Sequence, residues 1–553
     1  MGVENKISGD VLVVGGGIAG CYAAIKAGEQ GANVILVDKG YVGKSGQSPY
    51  ATCIMAFNPD KGHKLDDWMN YVNKMSEYVN NRYWTERSIV ESTAIFRELT
   101  SWGVHFNPDY DGPEKFSTAP KGLSKPPPYD PAELSKVLRN QVEKNGVKIL
   151  DRVMITELLK QDGRITGAIG MTLDGGELLT FIAKTTILCV GACGFKPAGF
   201  PAITQLTCDG EAMAYRAGAE IGGKEFVDVH YTRMDIPCTT GRKHLASPEL
   251  ELMFGRYPGQ AIFDKLYNAD GKQINIRPKG TSEYLFSYLQ LDLEAHAGRA
   301  PIVWRAPGDP EVVGNAALGM SLRKADGLWP TNTECASSLP GLYAAGDSLY
   351  TIQNGSVYTL IGSAMGGSAV TGAIAGTAAA KEALGSGELS VDSDVIEQTK
   401  KVVLAPSERK SGYSPRWVTQ LMQNTMMPYF ILYIKKADRL QATQTIISFI
   451  QEHLVPQLYA RDPHELRLAH EVKNMVLSAE MRLKSAEFRT ESRGNHYRED
   501  YPRRDDTNWL AWTKIKEEQG EMKLTKVPIP KEWWPDMSEP YEERYPFRFP
   551  GES

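Results

Sequence analysis

The stretch GDVLVVGGGIAGCYAAIKAGEQGANVILVDKG, residues 9–40, decides the fold of this 553-residue chain. A short β-branched run, Val11–Val14, ends in Gly15-Gly16-Gly17-Ile18-Ala19-Gly20, which matches the pattern G-x-G-x-x-G. A helical pattern and a second apolar run follow, and that run ends in Asp38. This order of strand, glycines, helix, strand and acid is typical of a dinucleotide-binding unit. It predicts an adenine dinucleotide here, and a purely structural glycine-rich turn is the alternative.

Each part of this stretch has a physical role in that prediction. Gly15 permits a tight turn, Gly17 lets a pyrophosphate approach the backbone, and Gly20 lets the helix pack closely on the strand. The helix N-terminus offers N–H groups and a positive dipole end to the phosphates. Asp38 can accept hydrogen bonds from both hydroxyls of a ribose.

The composition excludes several classes of protein. The formal net charge is −5, so a basic face for nucleic acid is not expected. No uncharged apolar run of about 18 residues is present, which predicts no membrane span, and no apolar signal region precedes the first predicted strand. The seven cysteines form no C-x-x-C pair, which indicates reduced thiols in a cytoplasmic protein. The same pattern predicts no metal site and no iron–sulfur cluster held by this chain alone.

The length predicts several domains, because 553 residues are too many for one core. The predicted elements are helices at 64–103, 132–146 and 209–222, strands at 148–150, 153–159, 165–172, 177–182 and 186–190, an inserted second domain within 240–330 and a helical bundle at 416–489. The tail from Lys523 is rich in proline and aromatic residues. Such a tail either wraps its own chain or docks on a partner.

Three further segments predict contacts with a ligand. The polar loop at residues 39–50 would lie over the middle of a dinucleotide, unless it is only a surface connection. An apolar strand, Thr186–Val190, ends in small residues that let the backbone pass close to a ligand. Another strand closes on Gly346-Asp347, and the small residues of 354–376 predict a helix whose N-terminal N–H groups face a ligand.

Taken together, these motifs resemble a known family. The glycine unit, Lys44-Ser45-Gly46, Ile187–Gly191 and Leu339–Asp347 are similar to the flavoprotein subunits of succinate dehydrogenase and fumarate reductase, with L-aspartate oxidase and adenylylsulfate reductase as relatives. The distal segment RTESRGNHYREDYP, residues 489–502, precedes an Arg-Asp-Asp and is close to the family's RTESRGAHxRED(Y/F)P…RDD. The similarity runs over nearly the whole length.

The resemblance implies an α/β fold: a Rossmann-like FAD-binding domain with an inserted α+β capping domain and a C-terminal helical domain. The implied bounds are 1–225 and 336–412 for the FAD-binding domain, 226–335 for the capping domain, 413–520 for the helical domain and 521–553 for the tail.

The resemblance also implies FAD as the cofactor. The residues that match the family's FAD contacts are Gly15, Gly17, Ile18, Ala19, Gly20, Asp38, Lys39, Lys44, Ser45, Gly46, Val153, Gly191, Gly346, Asp347, Ser363 and Ala364. Among them, Val153 would pack by the adenine and Asp347 would bond the ribityl chain. The turn at Ser363-Ala364 would face the pyrimidine end of the flavin ring, where a helix N-terminus stabilises the negative charge of reduced flavin.

The chain departs from the family where the respiratory enzymes bind flavin covalently and hold a dicarboxylate. Gly46 stands where those enzymes have a flavin-linked His, which predicts non-covalent FAD. The expected Arg that protonates fumarate falls near Tyr284, a second His near Asn315, and the carboxylate-binding Arg near Tyr358 or Thr359. An Arg–carboxylate contact is worth roughly 1.5–3 kcal/mol, so losing two of them predicts a substrate other than fumarate or succinate.

The remaining catalytic candidates are His230, Tyr231, Arg233, Tyr284 and Tyr288. A phenol or His230 suits polarising the oxygen of a ketone or enone, although His230 could instead be structural. The leading hypothesis is therefore an FAD-dependent oxidoreductase that transfers hydride at a C–C or C=C bond next to a carbonyl of a small-molecule substrate.

Two other hypotheses stay open. Gly46 and the segment 288–301 are reminiscent of adenylylsulfate reductase, which favours a flavoprotein subunit that works with a ferredoxin-like iron–sulfur subunit. A flavin-bearing scaffold without activity is the third. The predicted location is the cytoplasm, with any membrane association made through partner subunits.

Overall fold

The computed structural model describes residues 5–51, 53–106, 129–195, 205–227, 232–233, 266–274, 293–305, 312–315, 325–360 and 362–552. Its strands are β1 (Lys6–Val14), β2 (Val34–Val37), β3 (Lys148–Leu150), β4 (Val153–Gln161), β5 (Arg164–Thr172), β6 (Leu178–Leu188), β7 (Ile221–Gly222), β8 (Thr232–Arg233), β9 (Leu266–Tyr267), β10 (Ile302–Trp304), β11 (Val312–Asn315), β12 (Leu342–Ala344), β13 (Ile434–Lys435), β14 (Tyr497–Arg498), β15 (Ala511–Glu518) and β16 (Glu521–Pro528). Its α-helices are α1 (Ile18–Glu29), α2 (Leu65–Met75), α3 (Arg82–Ser101), α4 (Pro131–Lys144), α5 (Asp209–Arg216), α6 (Ser363–Gly385), α7 (Ser393–Glu408), α8 (Pro415–Met426), α9 (Tyr429–Leu432), α10 (Ala437–Phe449), α11 (Pro463–Phe488), α12 (Asp506–Trp509) and α13 (Tyr541–Arg544).

A seven-stranded sheet forms the centre of the molecule, in the order β3-β2-β1-β6-β5-β4, with β12 also beside β6. Strands β3, β2, β1, β6 and β12 run parallel, and β4 and β5 are antiparallel to their neighbours. All four residues of β2 are buried, as expected of a central parallel strand covered on both faces. The predicted α/β fold with a parallel sheet is confirmed.

Two helices pack on this sheet through small residues. A Cβ on Gly372 of α6 would lie 2.3 Å from the carbonyl oxygen of Ala19 in α1, and one on Gly376 would lie 2.2 Å from that of Ala23. Only hydrogen side chains fit at these two positions, since real Cβ contacts are never that short. The small residues of both helices therefore bring the N-terminus of α6 to the same side of the sheet as the glycine turn.

A second sheet lies within the segment for which an inserted domain is predicted. Its strand order is β8-β11-β10-β9, and its pairings are antiparallel. The chain on either side of this segment is held together, because the N–H of Gly222 donates to the oxygen of Gly327 at 2.9 Å. The boundaries of the domains stay a prediction.

The C-terminal part of the chain packs on the rest through buried ion pairs. Four arginines of the segment 489–504 have buried side chains: Arg489, Arg493, Arg498 and Arg504. Arg504 pairs with Glu77 and with Glu552, so the tail packs against its own chain. Phe549 stacks on Tyr497 with ring centroids 5.3 Å apart. Of the two readings of the tail, wrapping its own chain is the one that the structure describes.

Three sequence-based predictions need correction. The strands predicted at 177–182 and 186–190 form the single strand β6, because the polar residues between them still pair with β1. The helix predicted at 209–222 ends at Arg216. Cys193 and Cys208 form a disulfide, so the prediction of reduced thiols was wrong for this pair. Sequence spacing missed the disulfide because the two residues meet only through the folding of the segment between them.

The sequence predicts no membrane-spanning segment, and the helices of the structure bear on this prediction. Within the described ranges, none of them combines the length and the apolar character that crossing a bilayer requires.

Candidate functional site

The glycine turn after β1 has room only for glycine. Gly15 has a φ of +100°, and a Cβ there would lie 2.4 Å from the oxygen of Cys189. A Cβ on Gly20 would lie 1.7 Å from the oxygen of Gly15. Gly17 precedes α1 and offers no side chain to cap it, and the N–H of Ile18 donates to the Ser48 hydroxyl at 3.0 Å. The first turn of α1, which includes Ala19, therefore presents a backbone surface of the kind that binds phosphate.

Asp38 lies at the end of β2, beside this turn. Its two carboxylate oxygens accept from the N–H groups of Gly16 and Gly40, each at 2.6 Å. Burial raises the pKa of the Asp38 carboxyl above its ordinary value, although these donors lower it in part. Val153 is buried next to it and donates its N–H to the Asp38 oxygen at 3.0 Å. The structure thus brings together the two residues that were predicted for the ribose and the adenine.

Lys39 turns toward the protein. Its Nζ lies 2.7 Å from Asp209 and 3.2 Å from Glu471, and it donates to the Thr207 hydroxyl at 2.8 Å. Burial would lower the pKa of Lys39, but the two carboxylates raise it overall, so the ammonium stays charged. A contact between Lys39 and a cofactor remains a prediction, and the described contacts give this residue a structural role as well.

The loop after β2 bends back over the turn. The N–H of Gly43 donates to the oxygen of Gly16 at 2.8 Å, and the Ser45 hydroxyl donates to the oxygen of Tyr41 at 3.0 Å. Lys44 is exposed. Gly46 has a φ of +71°, its N–H donates to Gln205 at 3.0 Å, and no described atom lies within 4 Å of where its Cβ would be. Gly46 therefore leaves open space where a side chain could point.

The other predicted contacts lie around β12 and the start of α6. Gly346 has a φ of +63°, and its N–H donates to the Thr371 hydroxyl at 2.9 Å. Asp347 is half-buried and accepts from the N–H of Ala325 at 3.2 Å. The oxygen of Gly191, after β6, accepts from the Ser348 hydroxyl at 3.2 Å. The carboxyl ends of the parallel strands β1, β2, β6 and β12 thus share one edge, where open α/β sheets bind ligands.

A phenol and polar groups surround the N-terminus of α6. The N–H of Ala364 donates to the Tyr358 hydroxyl at 3.2 Å, and the Ser363 and Thr359 hydroxyls both donate to Asn354 Oδ1 at 3.1 Å. Met55, in the segment after the Gly46 loop, donates its N–H to the oxygen of Gly362 at 3.0 Å. The predicted flavin loop and the predicted flavin helix therefore meet.

Tyr129 is a residue near this end that sequence reasoning missed. Its hydroxyl is buried and forms no hydrogen bond with any described residue. Burial raises the pKa of Tyr129 well above its ordinary value, and the neighbouring Cys53 and Tyr358 add to this effect. Neither periodicity nor a motif marks Tyr129, since it follows a proline-rich stretch with no regular pattern.

The predicted catalytic residues can be placed only in part. His230, Tyr231, Tyr284 and Tyr288 lie outside the described residues. Arg233 belongs to β8, opposite Gly314 of β11, and the adjacent Thr232 is opposite Asn315. The backbone therefore brings the segment that follows His230 next to Asn315, where the resemblance expected a second His.

These features fit an adenine dinucleotide with a flavin. Gly15 and Gly20 have no room for a side chain, Asp38, which is predicted for the ribose, lies beside them, and the start of α6 presents its N-terminal turn at the same sheet edge as Asp347. The residues that would hold the cofactor are thus drawn from segments more than 300 positions apart in the sequence.

Comparisons with known proteins bear on the same residues. Residues 10–244 match the family model described as FAD binding domain, and residues 419–545 match fumarate reductase flavoprotein C-term. The chain is 26% identical to one of the subunits of fumarate reductase (CoM/CoB) from Methanothermobacter marburgensis, over 89% of this chain and 94% of that protein.

Two solved structures have a similar fold. A variant of Escherichia coli quinol fumarate reductase gives a TM-score of 0.79 at 17% identity, over 95% of this chain and 97% of that chain. Adenylylsulfate reductase of Archaeoglobus fulgidus gives a TM-score of 0.75 at 20% identity, over 95% of this chain and 96% of that chain. At these identities, the likeness shows a shared fold and nothing more specific.

Proposed function

Because the chain belongs to the flavoprotein family of fumarate reductase and succinate dehydrogenase, and is an FAD-dependent oxidoreductase, we propose that it transfers hydride at a C–C or C=C bond next to a carbonyl group, on a substrate other than fumarate or succinate. When bound, FAD supplies a ring that exchanges hydride with a substrate carbon. The cofactor is held without a covalent bond, since Gly46 has no side chain to form one.

The observation that carries this proposal is the absence of cations from the segment that builds the flavin end of the site. Residues 325–380 contain no Lys and no Arg. At the start of α6, Tyr358 presents a phenol that accepts from the N–H of Ala364. Within residues 325–380 no guanidinium or ammonium is available to pair with a dianion, and burying an unpaired charge is costly. A neutral ketone or enone needs only hydrogen bonds.

The side chains of this segment suit that chemistry. A phenol donates a hydrogen bond to a carbonyl oxygen and stabilises the charge that develops there when a neighbouring carbon gains hydride. Tyr358 and the buried Tyr129 are the phenols of the described residues near this end. The positive dipole end of α6 favours negative charge at the same place. His230 and the tyrosines at 231, 284 and 288 remain candidates for the proton donor.

The test is a binding titration of the FAD-loaded protein under anaerobic conditions, followed through the flavin absorbance. Cyclohexenone should perturb the spectrum, and fumarate and succinate should not. Tyr358→Phe should weaken cyclohexenone binding by roughly two- to tenfold, the loss of one neutral hydrogen bond. The matched control is Tyr83→Phe, because Tyr83 is exposed and far along the chain. Tighter binding of fumarate than of cyclohexenone would contradict the proposal.

A second candidate is a flavoprotein subunit that takes electrons from an iron–sulfur partner and acts on a sulfur oxyanion. It is favoured by Gly46 and by segment 288–301, which is reminiscent of adenylylsulfate reductase. This chain has no C-x-x-C pair, so a cluster would belong to the partner. Both candidates place the protein in the cytoplasm, with any membrane contact through partner subunits. Cyclohexenone in the titration above distinguishes them, because only the first candidate predicts that it perturbs the flavin spectrum.

A further inference from the structure

Cys193 and Cys208, which a disulfide joins, stand close in the sequence to residues predicted to contact the cofactor or its loop. Cys193 is two residues beyond Gly191, whose oxygen accepts from Ser348, the neighbour of Asp347. Cys208 immediately precedes Asp209, the partner of Lys39. Cys193 thus follows the end of β6, near the residues predicted for the ribityl chain. Cys208 precedes α5, whose first residue, Asp209, pairs with Lys39 in the loop after β2.

The disulfide is out of reach of thiols in solution. Cys193 is 2% exposed and Cys208 is 4% exposed. Thiol–disulfide exchange needs a thiolate to attack one sulfur directly, so burial of both sulfurs blocks that route. Electrons that reach this bond must come from inside the protein.

Charged and polar groups surround the two sulfurs. Cys193 Sγ lies 3.1 Å from the Ser478 hydroxyl, which also contacts the Glu211 carboxylate. Lys224 Nζ pairs with Glu211 at 2.6 Å, and both side chains are buried. The guanidinium of Arg482 is fully buried, and its nitrogens make no hydrogen bond to any residue that the structure describes. Such cations stabilise a thiolate, which makes a cysteine pair reactive.

A metal ion is the alternative occupant of this cluster. The ligand atoms of Cys193, Cys208 and Glu211 lie within 4.8 Å of one another. The two buried carboxylates, Glu211 and Asp326, are already balanced by two buried cations, however, because Lys224 lies 2.6 Å from Glu211 and Arg482 lies 3.8 Å from Asp326. A divalent ion would place more positive charge between these two, so the charges favour the sulfur–sulfur bond.

We propose that Cys193 and Cys208 form a second redox centre of this protein, a disulfide that accepts two electrons from the reduced flavin bound by the same chain. The S–S bond breaks and each sulfur gains a proton, giving two thiols. The two protons balance those that FADH2 releases as it returns to FAD. Ser478 connects Cys193 Sγ to the Glu211 carboxylate and so provides a path for one proton. Once the flavin is reduced a second time, the loaded protein holds two electron pairs.

The first test counts thiols and uses no substrate, so its outcome is independent of the substrate proposed above. FAD-loaded protein is denatured in iodoacetamide before and after anaerobic reduction by dithionite, and alkylated cysteines are counted by mass spectrometry. Five of the seven cysteines should react before reduction, and all seven after it. FAD-free protein treated in the same way should stay at five. The proposal is overturned if seven cysteines are alkylated before reduction, or if only five are alkylated after the flavin has been reduced. Alkylation of all seven cysteines in the FAD-free protein also overturns it.

The second test counts electrons. An anaerobic dithionite titration should consume about four electrons per flavin in the wild type, since a disulfide is a two-electron couple. Cys193→Ser and Cys208→Ser should each lower this to about two. The control is Cys335→Ser, because Cys335 is a buried free thiol in another contact, and it should leave the count at about four. A wild-type count of two overturns the proposal, and the thiol count decides it should a variant fail to fold.

Discussion

Gly46 is the single residue on which the prediction of non-covalent FAD rests. Its φ of +71° and the open space around its Cβ position give it no group that could bond to a flavin. We predict that acid precipitation leaves a colourless pellet and releases all of the FAD into the supernatant, measured by absorbance. FAD mixed with acid-precipitated, FAD-free protein is the control for trapping. A yellow pellet above that control would contradict the prediction.

Several single residues of the site could be predicted from the sequence, and others could not. Gly15, Gly20 and Asp38 were predictable because their spacing is fixed by local geometry, and the structure gives each a contact that demands its residue type. The partners of Lys39 were not, since Glu471 lies more than 400 positions away and no periodicity connects them. Tyr129 was missed for the same reason.

At the scale of the elements, the contact between α1 and α6 sets the distance between the two ends of the cofactor site. Gly376→Ala would place a Cβ 2.2 Å from the oxygen of Ala23, a backbone atom that cannot move aside. We predict a loss of about 1–3 kcal/mol or more in the free energy of unfolding, measured in urea.

The control for that variant is Gly385→Ala, at the end of the same helix, where a Cβ would meet nothing within 4 Å among the described residues. It should stay within about 1 kcal/mol of the wild type, in the stabilising direction, because alanine favours a helix. Equal losses in the two variants would show that the close approach of the helices is not responsible.

The contact between α7 and α11 predicts a pH dependence. His470 is buried on α11 beside the oxygen of Val403, at 3.0 Å from Nε2, and burial lowers the pKa of His470 to about 4. In the unfolded chain, the His470 imidazole takes up a proton near pH 6.5. Neutral His470 therefore makes its full contribution to the free energy of unfolding above that pH, and this contribution is lost as the pH falls toward 4. The difference amounts to about 3 kcal/mol.

We therefore predict that His470→Gln flattens the decline in unfolding free energy between pH 7 and pH 4, measured by urea titrations across that range. His453→Gln, at an exposed position, should decline as the wild type does. A His470→Gln curve parallel to that of the wild type would contradict the prediction.

The elements themselves followed the sequence where hydrophobic periodicity is strong. The predicted strand–helix–strand unit appears as β1, α1 and β2. The one-strand form of β6 was not predictable, because the polar residues Lys184 and Thr185 interrupt its apolar pattern. Pairing with β1 along its whole length keeps this stretch extended.

At the scale of the whole molecule, the segment 489–506 ties the C-terminal part to the rest. Arg493 is fully buried, donates to Glu491 and Asp506, and also donates to the oxygen of Glu77 at 2.8 Å. Arg493→Met would leave two buried carboxylates short of a partner. We predict a loss of roughly 3–5 kcal/mol in the free energy of unfolding, measured in urea.

An exposed pair provides the control for Arg493. Arg97 lies 3.4 Å from Asp60, and both side chains are mostly exposed. Arg97→Met should change the free energy of unfolding by less than about 1 kcal/mol, as is usual for surface ion pairs. A similar cost for both variants would argue against the buried network as the main link.

The overall architecture was predictable because the glycine unit and the distal motif are both specific, and they lie near opposite ends of the chain. Their buried contacts are not readable from the sequence, since Arg489 and Arg504 pair with Glu225 and Glu77, carboxylates of distant segments. The fold class follows from local patterns, and the way its parts join follows from long-range charge pairing.

The hydrogen bond between Gly222 and Gly327 and the β-bridge between Ile221 and Leu328 form a seam. This seam joins the place where the chain enters the inserted segment to the place where it leaves it. A gene shortened to join residue 227 to residue 325 through a few glycines would close this seam without stretching either side. The intervening cassette is thereby exchangeable in principle. A segment exchanged for this one would have to restore the contacts that His296 makes with Glu499 and Tyr429 in the C-terminal part of the chain.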